Sequence, residues 1–249
     1  MIDIYTNILP NVNSGPKSVE EFLEMANVLV KQGVTEVVAA PLYDGKDSSY
    51  RESVDLANEW LRKSSISLRV LPGQKIVAST QMILSNEEYY MMTINENEKY
   101  MFLEIPQDVE IEVLENIAYE LQLKGIVPVL NEPERHSLFV ENPPHLYKLV
   151  KNGAVVQLSA QSVLGGNGSK AKKAAYQFID HGLAHIIASG VNRENYQQYG
   201  LQKAYSAVSK NTATASFIIS WKMLRLLRAG RLFINKSLNA SKTKFLGIF

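Results

Sequence analysis

The chain contains no cysteine, which excludes thiolate nucleophiles, thiolate metal sites and disulfides, and with them cysteine-based phosphate hydrolysis. Four histidines remain as candidate ligands or bases: His136, His145, His181 and His185. Two imidazoles on one helix face can share a metal when they lie three or four residues apart. His181 and His185 have that spacing, but Gly182 and the start of an apolar strand pattern fall between them, so a shared face is not expected. The stretch Gly165-Gly166-Asn167-Gly168-Ser169-Lys170 imitates a phosphate loop. Its spacing departs from the Walker pattern, and Ser169 reads better as a helix N-cap.

The elements that must position any site alternate regularly. Apolar strand patterns at residues 2–5, 35–40, 68–71, 100–105, 126–130, 154–158 and 185–189 alternate with helical patterns, except that 68–71 stops at Pro72-Gly73. Ser18-Val19-Glu20-Glu21 is a capping box that opens the first helix, and Gly33 closes it. Helices are expected at 51–62, 109–124, 145–151, 170–180 and 194–209, and a last amphipathic one at 216–228. Strand-then-helix repetition argues for a parallel sheet, closed or nearly closed into a barrel. Active-site residues of such a barrel lie at the C-terminal ends of its strands. The segment 76–99, rich in Asn, Glu and Tyr, is irregular. No low-complexity linker divides the chain, so one domain over 1–249 is expected.

With 46% hydrophobic and 20% charged residues, the composition is that of an ordinary globular domain. A formal net charge of +1 creates no global attraction to nucleic acid. The charge is unevenly placed: residues 221–249 hold seven basic side chains and no acidic one. This basic C-terminal tail, from about residue 232, reads as a solvated segment or as a peripheral attachment to an anionic membrane complex. The N-terminus has no basic region or apolar core of a signal peptide. No apolar run approaches the roughly 20 residues that span a bilayer. A cytoplasmic protein is expected.

A resemblance to a known family runs from the first residue to the last. Asp3-Ile4-Tyr5-Thr6-Asn7-Ile8-Leu9-Pro10 is similar to an Asp-Ile-His-Cys-His-Ile-Leu-Pro opening, and Ala39-Ala40-Pro41-Leu42 to Ala-Thr-Pro-His. Leu71-Pro72-Gly73-Gln74-Lys75 resembles Leu-Pro-Gly-Gln-Glu. Phe102-Leu103-Glu104-Ile105-Pro106 resembles an Ile-Glu-Phe-Pro segment. Asn131-Glu132-Pro133-Glu134-Arg135 resembles Ala-His-Pro-Glu-Arg, and Ala188-Ser189-Gly190-Val191-Asn192 resembles Ala-Ser-Asp-Ala-His. These motifs in this order resemble the bacterial manganese-dependent protein-tyrosine phosphatases of the polymerase-and-histidinol-phosphatase (PHP) superfamily. The resemblance implies a distorted (β/α)7 barrel and, as partner, the tyrosine-rich tail of the kinase that governs capsule or exopolysaccharide synthesis. A homo-oligomer is also expected.

Carried over position by position, the resemblance places Tyr5, Asn7, Leu42, Lys75, Glu104, Glu132, Gly190 and Asn192 where that family has metal ligands. Only Glu104 is unchanged, and Glu104 and Glu132 are the residual donors. Imidazole and carboxylate lone pairs fix the cations that activate water in such sites. An aliphatic chain, an ammonium and a glycine supply none. Ser14 stands at the position of a candidate general acid, a role a hydroxyl cannot fill near neutral pH, and Gln197 stands where an arginine is expected. Arg135 remains as a phosphate-binding candidate, since a guanidinium fork matches a phosphate; its other use is an ion pair with a glutamate. Lys75, Glu104 and Glu132 are expected to form a salt-bridge cluster in place of metals. The expectation is a catalytically impaired or inactive homologue, a pseudophosphatase with a binding or regulatory role and no cofactor. The alternative is an active phosphotyrosine-protein phosphatase with a rebuilt site, with manganese as its cofactor.

Overall fold

The computed structural model describes residues 1–43, 48–79 and 92–211. The expected helix at 216–228 and the basic tail lie outside these residues. Two wholly parallel sheets form the centre. The first has β1 (Ile2–Thr6), β2 (Glu36–Ala39) and β3 (Arg69–Leu71) in that order. The second runs β4 (Lys75–Val77), β5 (Tyr100–Glu104), β6 (Val127–Asn131), β7 (Val155–Ser159) and β8 (Ile186–Ala188). Around them lie α1 (Val19–Lys31), α2 (Ser48–Lys63), α3 (Ile111–Leu123), α4 (Ser137–Glu141), α5 (Pro143–Lys151), α6 (Ala160–Leu164), α7 (Gly168–Asp180) and α8 (Leu201–Asn211).

The parallel α/β order is as the sequence predicts, but a single closed ring of seven strands is not what forms. Eight strands are present among the described residues, and the two sheets meet only at the single bridges Thr6–Val191 and Leu42–Lys75. The eighth strand is β4, three residues long and too short to carry a period-two pattern of its own. Pro72-Gly73 separates it from β3, and Gly73 is held there because a side chain would lie 2.7 Å from Val38 Cγ1 and 3.1 Å from the Ala39 carbonyl.

Successive side chains of a strand point to opposite faces, and here both faces are buried. Val38, Phe102, Val129, Val155 and Ile186 pack together on the inner face. Val37, Leu103, Leu130, Val156 and Ile187 pack outward on Phe22, Leu29, Ile117 and Phe178 of the helices. Each such side chain contributes about 1.5–3 kcal/mol on burial. The pairing of β1 with β2 shifts register between Asp3 and Thr6. Ile4 and its neighbour Tyr5 consequently both reach the inner cluster, the re-aiming that a bulge produces.

Local signals explain most helix ends. Ser18 accepts a hydrogen bond from the Glu21 amide at 3.2 Å, and Gly33 leaves α1 at φ 80°. Three boundaries differ from expectation. Helix α7 opens at Gly168 with Asn167 as N-cap, so Ser169 lies inside its first turn and does not cap it. A short helix, α4, precedes α5, its first amide turned by the His136 ring, whose Nδ1 accepts from Leu138 N at 3.2 Å. Residues 194–200 are not helical in one piece: Asn192 Oδ1 takes the Glu194 and Asn195 amides at 2.8 and 3.2 Å, a side-chain turn that competes with a helix start. No helix among the described residues is long and apolar enough to cross a membrane.

Candidate active site

The strand ends bring six of the sequence-predicted residues together. The bulge in β1 aims Tyr5 inward, where its ring meets Phe102 edge-on with centroids 5.4 Å apart. Lys75, the first residue of β4, extends its ammonium to the Tyr5 hydroxyl at 3.1 Å and to Glu104 Oε2 at 3.3 Å. Glu104 ends β5. Glu132 follows β6 in a left-handed conformation, φ 48°, held by its amide donating to the Gln157 carbonyl at 2.8 Å. A non-glycine residue there is strained and persists only when its surroundings fix it. Its carboxylate pairs with Arg135 Nη1. Gly190 donates its amide to the Tyr5 carbonyl at 3.1 Å, and a side chain at that position would lie 3.1 Å from Glu132 Oε1. Gly190 also sits at φ 61°, which favours glycine, and a side chain there would press the Glu132 carboxylate aside by a few tenths of an ångström.

The expected three-way cluster is therefore two pairs: Lys75 reaches Glu104, while Glu132 turns to Arg135. The other predicted positions sit at the margin. Leu42 bridges Lys75 through the backbone and donates its amide to Asn13 Oδ1 at 2.6 Å. Asn7 is joined by its amide to the Val191 carbonyl at 2.7 Å, and the Ser14 carbonyl accepts from Arg193 N at 3.2 Å. Asn192 shapes its own turn, and Gln197 lies in the one-turn helix Tyr196–Gln198. Two of the histidines serve structure. His136 Nε2 lies 2.7 Å from the Pro106 carbonyl, and His185 Nδ1 accepts the Val156 amide at 3.1 Å. No group of three or more His, Cys, Asp or Glu gathers as a metal site among the described residues.

Burial and charge tune these groups. Desolvation, with the Glu104 and Glu132 charges beside it, pushes the Tyr5 hydroxyl well above its ordinary range, so it remains a phenol. Glu134, wholly buried and repelled by Glu132, is pushed up to about 8 and carries a proton at neutral pH. Glu132 holds the Arg135 guanidinium above its usual value. Between these residues lies a cavity of about 150 Å³, walled by Tyr5, Glu104, Asn131, Glu132, Arg135 and His136 among others. A wider depression at the opposite end of β1, beside Met1, Gln32 and Tyr205, has no carboxylate in its lining among the described residues.

A site for several divalent cations needs multiple anionic or imidazole donors. Here two carboxylates face an ammonium 3.3 Å away and a guanidinium, and Leu42 and Gly190 offer no donor. The residues present do not fit a multinuclear metal cluster. They do fit an anion, since Arg135 lines the cavity and the Lys75 ammonium lies 3.3 Å from Glu104 in its wall.

The position that sequence reading missed is Asn131. It follows Val129 by two residues on the inward phase of β6, which is the signal that places it in the cavity wall.

The chain is 30% identical over 255 residues to the tyrosine-protein phosphatase YwqE of Bacillus subtilis, with 100% of both chains covered. It is 31% identical over 211 residues to CapC of Staphylococcus aureus, covering 83% of this chain and 82% of that one. Among solved structures it matches one described as YwqE from Bacillus subtilis and CpsB from Streptococcus pneumoniae, metal-dependent tyrosine phosphatases. The TM-score is 0.83 at 29% identity, covering 94% of this chain and 96% of the other. These likenesses correct the expectation of an impaired or inactive homologue: a relative matched from end to end carries the name of a phosphatase, which supports an active phosphatase here. That expectation rested on counting lost ligands and read the lysine, arginine and glutamates only as a structural replacement for metals. A model of the CpsB/CapC family, described as capsular polysaccharide synthesis, matches residues 1–219, and the chain belongs to that family.

Proposed function

We propose that the protein is a phosphotyrosine-protein phosphatase, a phosphate monoester hydrolase acting at the C-terminal ends of β1, β5 and β6. The observation that carries this reading is the end-to-end likeness to YwqE, a tyrosine-protein phosphatase. The family's description, capsular polysaccharide synthesis, supports a tyrosine kinase of that process, or its tyrosine-rich tail, as the protein substrate.

The residues at the cavity supply a mechanism in their own terms. Arg135 exchanges Glu132 for two phosphoryl oxygens, a bidentate contact its planar fork favours. Glu132, released from that pair, takes a proton from a water as the water oxygen bonds to phosphorus. The bond from phosphorus to the aryl oxygen breaks, and the Lys75 ammonium offsets the charge that develops on the phenolate. Tyr5, kept protonated, holds Lys75 in place. No step is assigned to a metal.

The test is phosphate release from a tyrosine-phosphorylated peptide, with and without added manganese, by the protein and by Arg135→Ala. The expected outcome is turnover by the wild type that falls at least tenfold in the variant. Wild-type release no faster than that of Arg135→Ala in either condition would overturn the proposal.

A further inference from the structure

We propose that Asn131 is a substrate-binding residue whose side-chain amide donates a hydrogen bond to an oxygen of the bound phosphoryl group; this rests on the phosphatase reading above. Asn131 is the last residue of β6 and is 7% exposed. Neither its Oδ1 nor its Nδ2 has a hydrogen-bond partner in the protein, and it forms part of the wall of the cavity between Glu132 and Arg135. Beside it in register on β7 is Gln157, fully buried, whose Nε2 donates to the Leu158 carbonyl at 2.7 Å while its Oε1 is unpartnered.

Leaving a buried polar group unsatisfied destabilises the folded state, so an amide with both polar atoms unpartnered inside a cavity wall needs a use. The remaining chemistry of the cavity says which. Two carboxylates are matched by two cations, so a further cation would unbalance the site, whereas a neutral donor adds a hydrogen bond without changing its charge. At about 150 Å³ the cavity is smaller than the ~300–1,000 Å³ pockets that enclose whole drug-sized ligands. It suits a tetrahedral oxyanion, with an aryl ring left outside. A carboxamide Nδ2 donates to such an oxyanion at any pH at which the protein is folded.

Asn131→Leu and Asn131→Asp separate binding from folding. Inorganic phosphate is titrated calorimetrically into the wild type and each variant, and phosphotyrosine-peptide turnover and the melting temperature are measured alongside. Leucine removes the open amide, so the expected result is an unchanged or higher melting temperature with phosphate affinity at least fivefold lower. Aspartate keeps the shape but opposes an anion, and a larger loss is expected. Variants that bind phosphate as the wild type does would overturn the role of Asn131 while leaving the phosphatase reading intact. A marked fall in the melting temperature of Asn131→Leu with unchanged phosphate affinity would also overturn it, by making the amide structural. A wild type that neither binds phosphate nor hydrolyses the peptide would remove the phosphatase reading and this inference together.

Discussion

Lys75 decides what kind of ligand the strand ends can hold. Its ammonium lies 3.3 Å from Glu104, where a divalent cation would otherwise be drawn. Lys75→Glu would put a third carboxylate beside Glu104 and near Glu132. Like charges so placed repel, and the expected result is a lower melting temperature that added manganese restores, because a ligand bound only by the folded state stabilises it in proportion to its occupancy. Thermal unfolding with and without manganese measures this; a variant indifferent to the ion would show the three side chains too far apart to cooperate. At this scale the sequence was partly legible. Tyr5, Lys75, Glu104, Glu132 and Arg135 were all identified by position, but the partnering of Glu132 with Arg135 was not, because the left-handed turn at Glu132 depends on the Gln157 carbonyl of another strand. Asn131 was passed over because an asparagine matters here only once both its ends are seen to be open.

Among the elements, the loop between β1 and α1 does more than connect. Its Ser14 carbonyl accepts from the Arg193 amide and its Asn13 Oδ1 from the Leu42 amide, so it ties both seams between the sheets. Gly15 holds the loop's shape: a methyl there would overlap the Leu9 carbonyl oxygen and lie 2.9 Å from that of Val12. Gly15→Ala is expected to cost about 1–3 kcal/mol, the usual range for a forced backbone shift, and to reduce turnover more than a remote substitution of equal cost. Chemical denaturation beside activity checks this; a variant as stable and active as the wild type would mean the loop adapts freely. Helix α1 was legible from its cap and its glycine. Strand β4 was not, since three residues carry no period, nor was the break at residues 194–200, where the Asn192 side chain takes the amides on which the expected helix would start.

For the whole molecule, three buried titratable groups set how stability varies with pH. Asp3, raised to about 6 by burial, holds a proton in the folded state that the unfolded chain has lost above pH 4, so its contribution falls as pH rises from about 4 to 6. His185, lowered to about 4 by burial, acts oppositely: the unfolded chain takes up the proton, so stability rises with pH over about 4 to 6.5. The two largely offset. Glu134, raised to about 8, is left to act alone above pH 6.5, and stability is expected to decline from there to pH 8. Glu134→Gln, which keeps an oxygen for the Ser159 amide, should flatten the melting temperature across that range; an unchanged slope would assign the effect elsewhere. The overall class was legible because strand-then-helix order repeats, whereas the division into two sheets rests on single bridges that no sequence pattern marks.

The Asp3 carboxylate, fastened by the Ser189 amide at 3.1 Å and the Tyr199 hydroxyl at 3.1 Å, joins the third residue to partners almost two hundred positions later. On a ribosome, which releases the chain from its N-terminus onward, β1 can pair with β2 early but must wait for nearly the whole of the described chain before that carboxylate is satisfied. The strand made before the others is therefore completed last, and a nascent chain stalled before residue 189 would carry it with the Ser189 and Tyr199 bonds to Asp3 still unmade.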